Sequence, residues 1–128
     1  RLNKKIKFIP NCKEMPVAYK LANVVVSASI EPEAFGRVSV EAQSMRKPIL
    51  ASEIGGSKET ILKDKSGLFF KPGDPISLAE KLREALNLDE VTLKIMGDEG
   101  RKNVLKKFDV EKMCNTTFLE YQKLINSK

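Results

Sequence analysis

Two glutamates, Glu33 and Glu41, stand eight positions apart around a Phe35-Gly36 turn. A carboxylate suits a hydroxyl-bearing ligand because its two oxygens offer about four lone-pair sites. The glycine lets the main chain come close to a ligand and take a positive φ. A helix starting just beyond it would present unpaired N–H groups and a partial positive charge, the makings of a phosphate site. Carboxylates on both sides of such a cradle suit a diphosphate that carries hydroxyls at each end. A nucleotide sugar has that shape.

Glu41 is also out of place in its own helix. If the helix begins near Arg37 or Val38, its apolar stripe runs Val38, Ala42, Met45, and Glu41 falls on the same face. A carboxylate there needs a partner, because an unsatisfied buried polar group costs about 1–3 kcal/mol and a charge more. Three readings stay open: a protein donor, a ligand hydroxyl, or a stripe-edge position that reaches water.

Other chemistries are narrowed by composition. The chain has no histidine, which removes His-based acid–base catalysis and His-liganded metals within it. Cys12 and Cys114 share no metal or redox spacing, so a reduced, cytoplasmic setting is expected. Asn115-Thr116-Thr117 matches a glycosylation sequon but follows no secretory signal, and is read as chance. The net charge of +6 favours a phosphate-bearing partner. Apart from Lys4-Lys5 and Lys106-Lys107 the basic residues are dispersed, and no aromatic platform interleaves with them. No nucleic-acid partner is expected, and the basic surface reads as solvated. With 41% apolar and 31% charged residues, the chain reads as one soluble domain spanning 1–128. No apolar run approaches the ~20 residues that a membrane helix requires.

The elements that must position the two glutamates follow in order. Ile6 to Ile9 reads as a short strand, Met15 to Ala22 as a helix, and Val24-Val25-Val26 as a strand buried on both faces. The helix after Gly36 leads to a strand at Pro48 to Ala51. Gly55-Gly56 reads as a tight turn, Ser57 as the N-cap of a short helix over Lys58–Leu62, and Leu68-Phe69-Phe70 as a strand. Asp74-Pro75 starts a helix with Leu78, Leu82, Ala85 and Leu86 on its apolar face. Asp89 opens another, punctuated at Gly97 and Gly100, and Asp109 caps a last one with a stripe from Val110 to Ile125. Alternation of strands and helices predicts an α/β fold: a partial doubly wound, Rossmann-like parallel sheet of about four strands, helices on both faces, and a helical C-terminal tail. Residues 1–72 form the α/β part and 73–128 the helical part. In such sheets ligands bind at the carboxyl ends of the strands, where the loops Ile30–Gly36 and Glu53–Gly56 lie.

Ser29 through Glu41, with Pro48-Ile49-Leu50-Ala51-Ser52, Gly55-Gly56-Ser57-Lys58-Glu59 and Ser66 to Asp74, resembles the C-terminal domain of the retaining family 4 glycosyltransferases, of GT-B architecture. The resemblance runs over nearly the whole chain and includes that family's E-x7-E element as Glu33 and Glu41. It implies transfer of a sugar from a nucleotide-diphosphate sugar donor to a glycan or lipid-linked acceptor, as in cell-envelope polysaccharide or lipopolysaccharide synthesis. It implies no cofactor and no metal. Glu33 becomes the catalytic-site carboxylate that contacts hydroxyls of the donor sugar, with the amides around Ala34, Phe35 and Gly36. Val38 and Ser39 offer backbone N–H groups to the diphosphate, and Glu41 holds the ribose. Lys58, Arg37 and Glu59 read as solvated surface charges.

Against that family the chain starts at what resembles the third strand. The first two strands, with a Gly-Arg turn and a lysine for the diphosphate, and the acceptor-binding domain have no counterpart in it. Two consequences are expected. Either Ile6–Ile9 pairs beside Val24–Ala28, or a second copy closes the open sheet edge as a homo-oligomer. Alone the chain is expected to have little or no activity; the alternative is a non-catalytic truncated or split domain that folds and self-associates or complements another chain. The full enzyme is expected at the inner face of the membrane as a peripheral protein.

Overall fold

The β-branched and aromatic runs form strands, and the runs of helical period between them form helices. The computed structural model describes residues 5–127; 1–4 and 128, including Lys4 of the Lys4-Lys5 pair, lie outside the described residues. The order is α1 (Met15–Leu21), β1 (Val25–Ser27), α2 (Arg37–Ser44), β2 (Ile49–Ser52), α3 (Ser57–Thr60), β3 (Gly67–Phe70), α4 (Pro75–Leu86), α5 (Glu90–Lys107) and α6 (Val110–Asn126). The strands make a parallel sheet in the order β1-β2-β3, with Val25 opposite Ile49 and Ile49 opposite Gly67.

Helices cover both faces. On one, Tyr19, Ala42, Ile49, Ala51, Ile61 and Phe69 form a core beneath α1 and α2. On the other, Leu50, Leu68 and Phe70 meet Ala85 of α4 and Met96 of α5. Every residue of β2 and β3 is buried, which is why those segments read as continuous apolar runs rather than alternating ones.

Among the described residues the sheet has three strands, where about four are expected. Ile6–Ile9 is irregular, and Phe8 is 93% exposed. A strand is stable only when a neighbour takes its backbone groups, and this segment lies beside none, so its amides stay in water. The expected pairing with Val24–Ala28 is therefore not made. For the same reason β1 is not buried on both faces: the sheet ends there, and Val26 is 39% exposed.

Helix ends follow side-chain chemistry. The Asp74 carboxylate accepts from the N–H groups of Ile76 and Ser77 at 3.0 and 3.1 Å, and Pro75 occupies the first turn. Asp89 accepts from Thr92 N–H at 2.7 Å, and this bond holds its carboxyl below the ordinary value. Asp109 stands at the start of α6, but its side chain makes no capping bond. Ser57 is not the cap of α3; Gly56 holds that position. The Ser57 hydroxyl instead lies within 2.6 Å of the carbonyls of Ser52 and Ile54, where it ties α3 to the end of β2.

Gly97 and Gly100 do not interrupt α5, which runs unbroken through both. They are contact points. A Cβ at Gly97 would collide with the Arg46 carbonyl, and one at Gly100 would stand 2.9 Å from Cγ of Gln43. Without side chains at these positions α5 lies directly on α2. Gln43, fully buried, donates to the carbonyls of Ser39 and Thr60 at 3.0 and 2.8 Å and accepts from the Ser66 hydroxyl at 2.8 Å. Arg101 of α5 donates to the Ser44 carbonyl at the end of α2 at 2.7 Å.

The last helix is different. No residue of α6 is buried, and Met113, Phe118, Tyr121, Leu124 and Ile125 are exposed. No helix among the described residues is long and apolar enough to cross a membrane.

Candidate functional site

The carboxyl ends of β1 and β2 open onto two loops, and main-chain contact joins them. Gly36 has φ of 76°, the left-handed conformation expected of it, and stands immediately before α2. In the facing loop Gly55 also has positive φ, at 56°. A Cβ on Gly55 would lie 2.6 Å from the Glu33 carbonyl oxygen, and one on Gly56 2.5 Å from the Phe35 carbonyl carbon. Gly56 N–H donates to the Glu33 carbonyl at 2.8 Å. The sequence suggests a tight turn here; the pair is in addition the bed on which residues 33–35 lie.

Glu33 is exposed, and its carboxylate accepts a hydrogen bond from the Ser29 hydroxyl. Beside it, Ser39 and Ser52 are buried, and their hydroxyls find no partner among the described residues. Both line a small pocket of about 10 Å³ with Ser27, Glu33, Gly36 and Ser57. That is room for one water and not for a phosphate. In the first turn of α2, Ser39 N–H donates to the Gly36 carbonyl at 3.1 Å.

Glu41 takes part in a different arrangement. The Tyr19 hydroxyl donates to its Oε2 at 2.9 Å, and Arg37 Nη2 donates to its Oε1 at 3.2 Å. Of the three readings open from sequence, two are met: Glu41 has protein donors, and its side chain, 38% exposed, reaches water. The two partners are unequal. Tyr19 is 6% exposed and belongs to the core, whereas the Arg37 side chain is 84% exposed. Such an exposed i,i+4 pair contributes only a few tenths of a kcal/mol, about 0.3–0.5. Burial, then the bond to Glu41, pushes the Tyr19 phenol up to about 12, which keeps it a donor at all ordinary pH. A cleft of about 340 Å³ runs between α1 and α2 past Tyr19, Arg37 and Glu41, with Met15 and Pro16 at its side.

Glu33, Gly36 and Ser39 thus share one pocket, and Glu41 lines a separate cleft. Ala34 is exposed and Val38 half-buried against the core. Phe35 meets Phe108, at the break between α5 and α6, with ring centroids 5.5 Å apart at 75°. Lys58 and Glu59 are exposed. Among the described residues no group of three His, Cys, Asp or Glu side chains could hold a metal ion.

The sequence reading missed Tyr19, Ser29, Ser52 and the Ser39 hydroxyl. For Tyr19 a signal existed. A tyrosine on a buried stripe needs a partner for its hydroxyl, as Glu41 on its own stripe needs a donor. The two unmet requirements answer each other.

In open parallel α/β sheets the crevice at the carboxyl ends of the strands is where ligands bind, and here that edge carries the two loops and the glycine-started helix α2. The family model for glycosyl transferases group 1 matches residues 1–103, and the chain belongs to that family. It is 34% identical over 95 residues to the capsular polysaccharide biosynthesis glycosyltransferase CapM of Staphylococcus aureus, covering 69% of this chain and 25% of that protein. The crystal structure of a glycosyltransferase from Rickettsia africae superposes with a TM-score of 0.92 at 30% identity, covering 99% of this chain and 34% of that one. Anabaena HepE in complex with UDP-glucose gives 0.85 at 26%, covering 95% and 33%. The chain spans about a quarter of the length of the curated relatives it matches.

Proposed function

We propose that this chain is the donor-binding part of a glycosyltransferase that moves a sugar from a nucleotide-diphosphate sugar to a glycan or lipid-linked acceptor. Cell-envelope polysaccharide, including lipopolysaccharide, is the acceptor class this reading favours; the likeness to CapM supports the polysaccharide part of it. The observation that carries the reading is the convergence at the start of α2. Gly36 in the left-handed conformation, the unpartnered Ser39 and Ser52 hydroxyls and the Glu33 carboxylate all meet at the carboxyl edge of the sheet. In this reading the diphosphate lies over Gly36 and the first turn of α2, reached by the N–H groups of Val38 and Ser39. Ala34, Phe35 and Gly36 lend main-chain groups, Glu33 grips hydroxyls of the sugar, and Glu41 holds the ribose. When the bond from the sugar to the diphosphate breaks, negative charge collects on the departing oxygens, and the positive end of α2 favours that charge.

The open edge of β1 favours a companion reading, that the unit acts joined to further chain or to a second copy, and has little activity alone. A cytoplasmic location, with peripheral attachment to the inner membrane face, belongs to the complete enzyme of this proposal. The test is a calorimetric or NMR titration of the chain with UDP-, GDP- and ADP-sugars. Saturable binding of one of them, weakened by Glu41→Ala, is expected. Binding of none, with Glu41→Ala equally silent, would remove the donor site.

A further inference from the structure

Tyr19 stands on a different helix from every residue assigned above. It is the only buried residue of α1, and its ring is packed in the core with Ala42, Ile49 and Phe69. Its hydroxyl leaves that core to reach Glu41 Oε2 at 2.9 Å. A carboxylate has about four lone-pair sites. Tyr19 takes one on Oε2 and Arg37 one on Oε1, which leaves acceptor capacity on both oxygens facing the cleft. Arg37 is a loose partner, because its side chain is largely in water. The phenol is a fixed one, because the ring behind it cannot turn without opening the core.

We propose that Tyr19 is the positioning residue of Glu41, holding its carboxylate in the orientation that accepts both hydroxyls of a ribose at once. This rests on the ribose reading of Glu41 given above. A pair of neighbouring hydroxyls is bound well only if the carboxylate's rotation is set before the ligand arrives, so that little rotamer freedom is lost on binding. The bond from Tyr19 supplies that setting, and it joins α1 to the ligand through α2. The tyrosine touches no ligand; it acts through Glu41.

Removing the hydroxyl separates this role from packing, since Tyr19→Phe keeps the ring in the core. The probes are UDP, GDP and ADP, each beside its 2′,3′-dideoxy counterpart, titrated calorimetrically into the 128-residue chain. For the nucleotide that binds, Tyr19→Phe is expected to weaken the ribose form by about five- to tenfold, the worth of one ordinary hydrogen bond, and to leave the dideoxy form unchanged. In a Glu41→Ala background the same substitution is expected to change neither. Equal weakening of both forms would mean a merely structural tyrosine and overturn the proposal. So would wild-type affinity for the ribose form in Tyr19→Phe, provided Glu41→Ala still weakens it; the ribose reading would then stand without its positioning residue. If Glu41→Ala binds both forms as the wild type does, the ribose reading itself falls, and Tyr19 with it. A wild-type chain that binds none of the three nucleotides overturns the donor site as a whole.

Discussion

Glu41 and Gln43, two residues apart on α2, meet the problem of a polar group in a packed helix in different ways. Gln43 is closed off entirely, with its amide nitrogen on the Ser39 and Thr60 carbonyls and its oxygen under the Ser66 hydroxyl. Gln43→Leu keeps most of the volume and removes three interior hydrogen bonds, while the Thr60 carbonyl keeps Asn103 and the Ser66 hydroxyl keeps Leu62, so a loss of about 1–3 kcal/mol in unfolding free energy is expected by urea titration. Glu41 takes a bond on each oxygen, from Tyr19 in the core and from the exposed Arg37, and its side chain stays 38% exposed. Its tie to Tyr19 has a pH signature. The unfolded chain releases the tyrosine proton near 10.0 and the folded one near 12. Above pH 10 the unfolded state gains by ionising while the folded state does not, so stability falls as pH rises between these values. Below pH 10 the contribution is complete and flat. Comparing denaturation midpoints of wild type and Tyr19→Phe from pH 8 to about 12 isolates this, since the variant lacks the group and its profile should descend less.

Among the elements, α2 is the one on which the others depend. Its N-terminus starts at Gly36, its flank carries Glu41, and its back receives α5 through Gly97 and Gly100. Gly97→Ala is expected to cost about 1–3 kcal/mol, because the new methyl meets the Arg46 carbonyl and the helix must move. A lowered melting temperature with an unchanged far-UV spectrum is the expected observation, and an unchanged melting temperature would refute the contact. The sequence carried much of this. Continuous runs such as Ile49-Leu50-Ala51 and Leu68-Phe69-Phe70 declare a sheet covered on both faces. Asp74-Pro75 and Asp89 declare helix starts in their own chemistry. Gly36 takes the positive φ its turn suggests, whereas the E-x7-E pair is divided, Glu33 lining one pocket and Glu41 another. What stayed hidden depended on contacts distant in the chain. Ile6–Ile9 has the composition of a strand, and only the absence of a neighbour decides against it. Gly97 and Gly100 look like helix breakers until α2 is seen against them. Gly55-Gly56 looks like a turn until residues 33–35 are laid on it. Tyr19 and Glu41 are 22 positions apart, and no local period links them.

At the scale of the whole molecule the chain is sealed on one side of the sheet and open on the other. β3 is fully buried, while β1 leaves an edge with Val26 exposed, and Phe8, Ile9, Leu21 and Ile30 are exposed in the flanking segments. The exposed apolar residues of α6 add to that surface. Such surfaces seek partners, and an unpaired parallel edge is a template for another strand. We expect the isolated chain to associate with rising concentration, seen as a growing mass by light scattering. Val26→Lys, which puts a charge on the edge, should reduce it. Unchanged association in that variant would place the contact elsewhere, on α6. The seam between the loops that follow β1 and β2 has a separate consequence. Gly55 and Gly56 meet residues 33–35 backbone to backbone, with no layer of side chains to slip between them. The two loops are therefore coupled at this seam through main-chain contact. A ligand that draws Glu33 inward must carry Gly56 and the start of α3 with it, so the amide of Gly56 should exchange with solvent more slowly once Glu33 is engaged, although no ligand touches it.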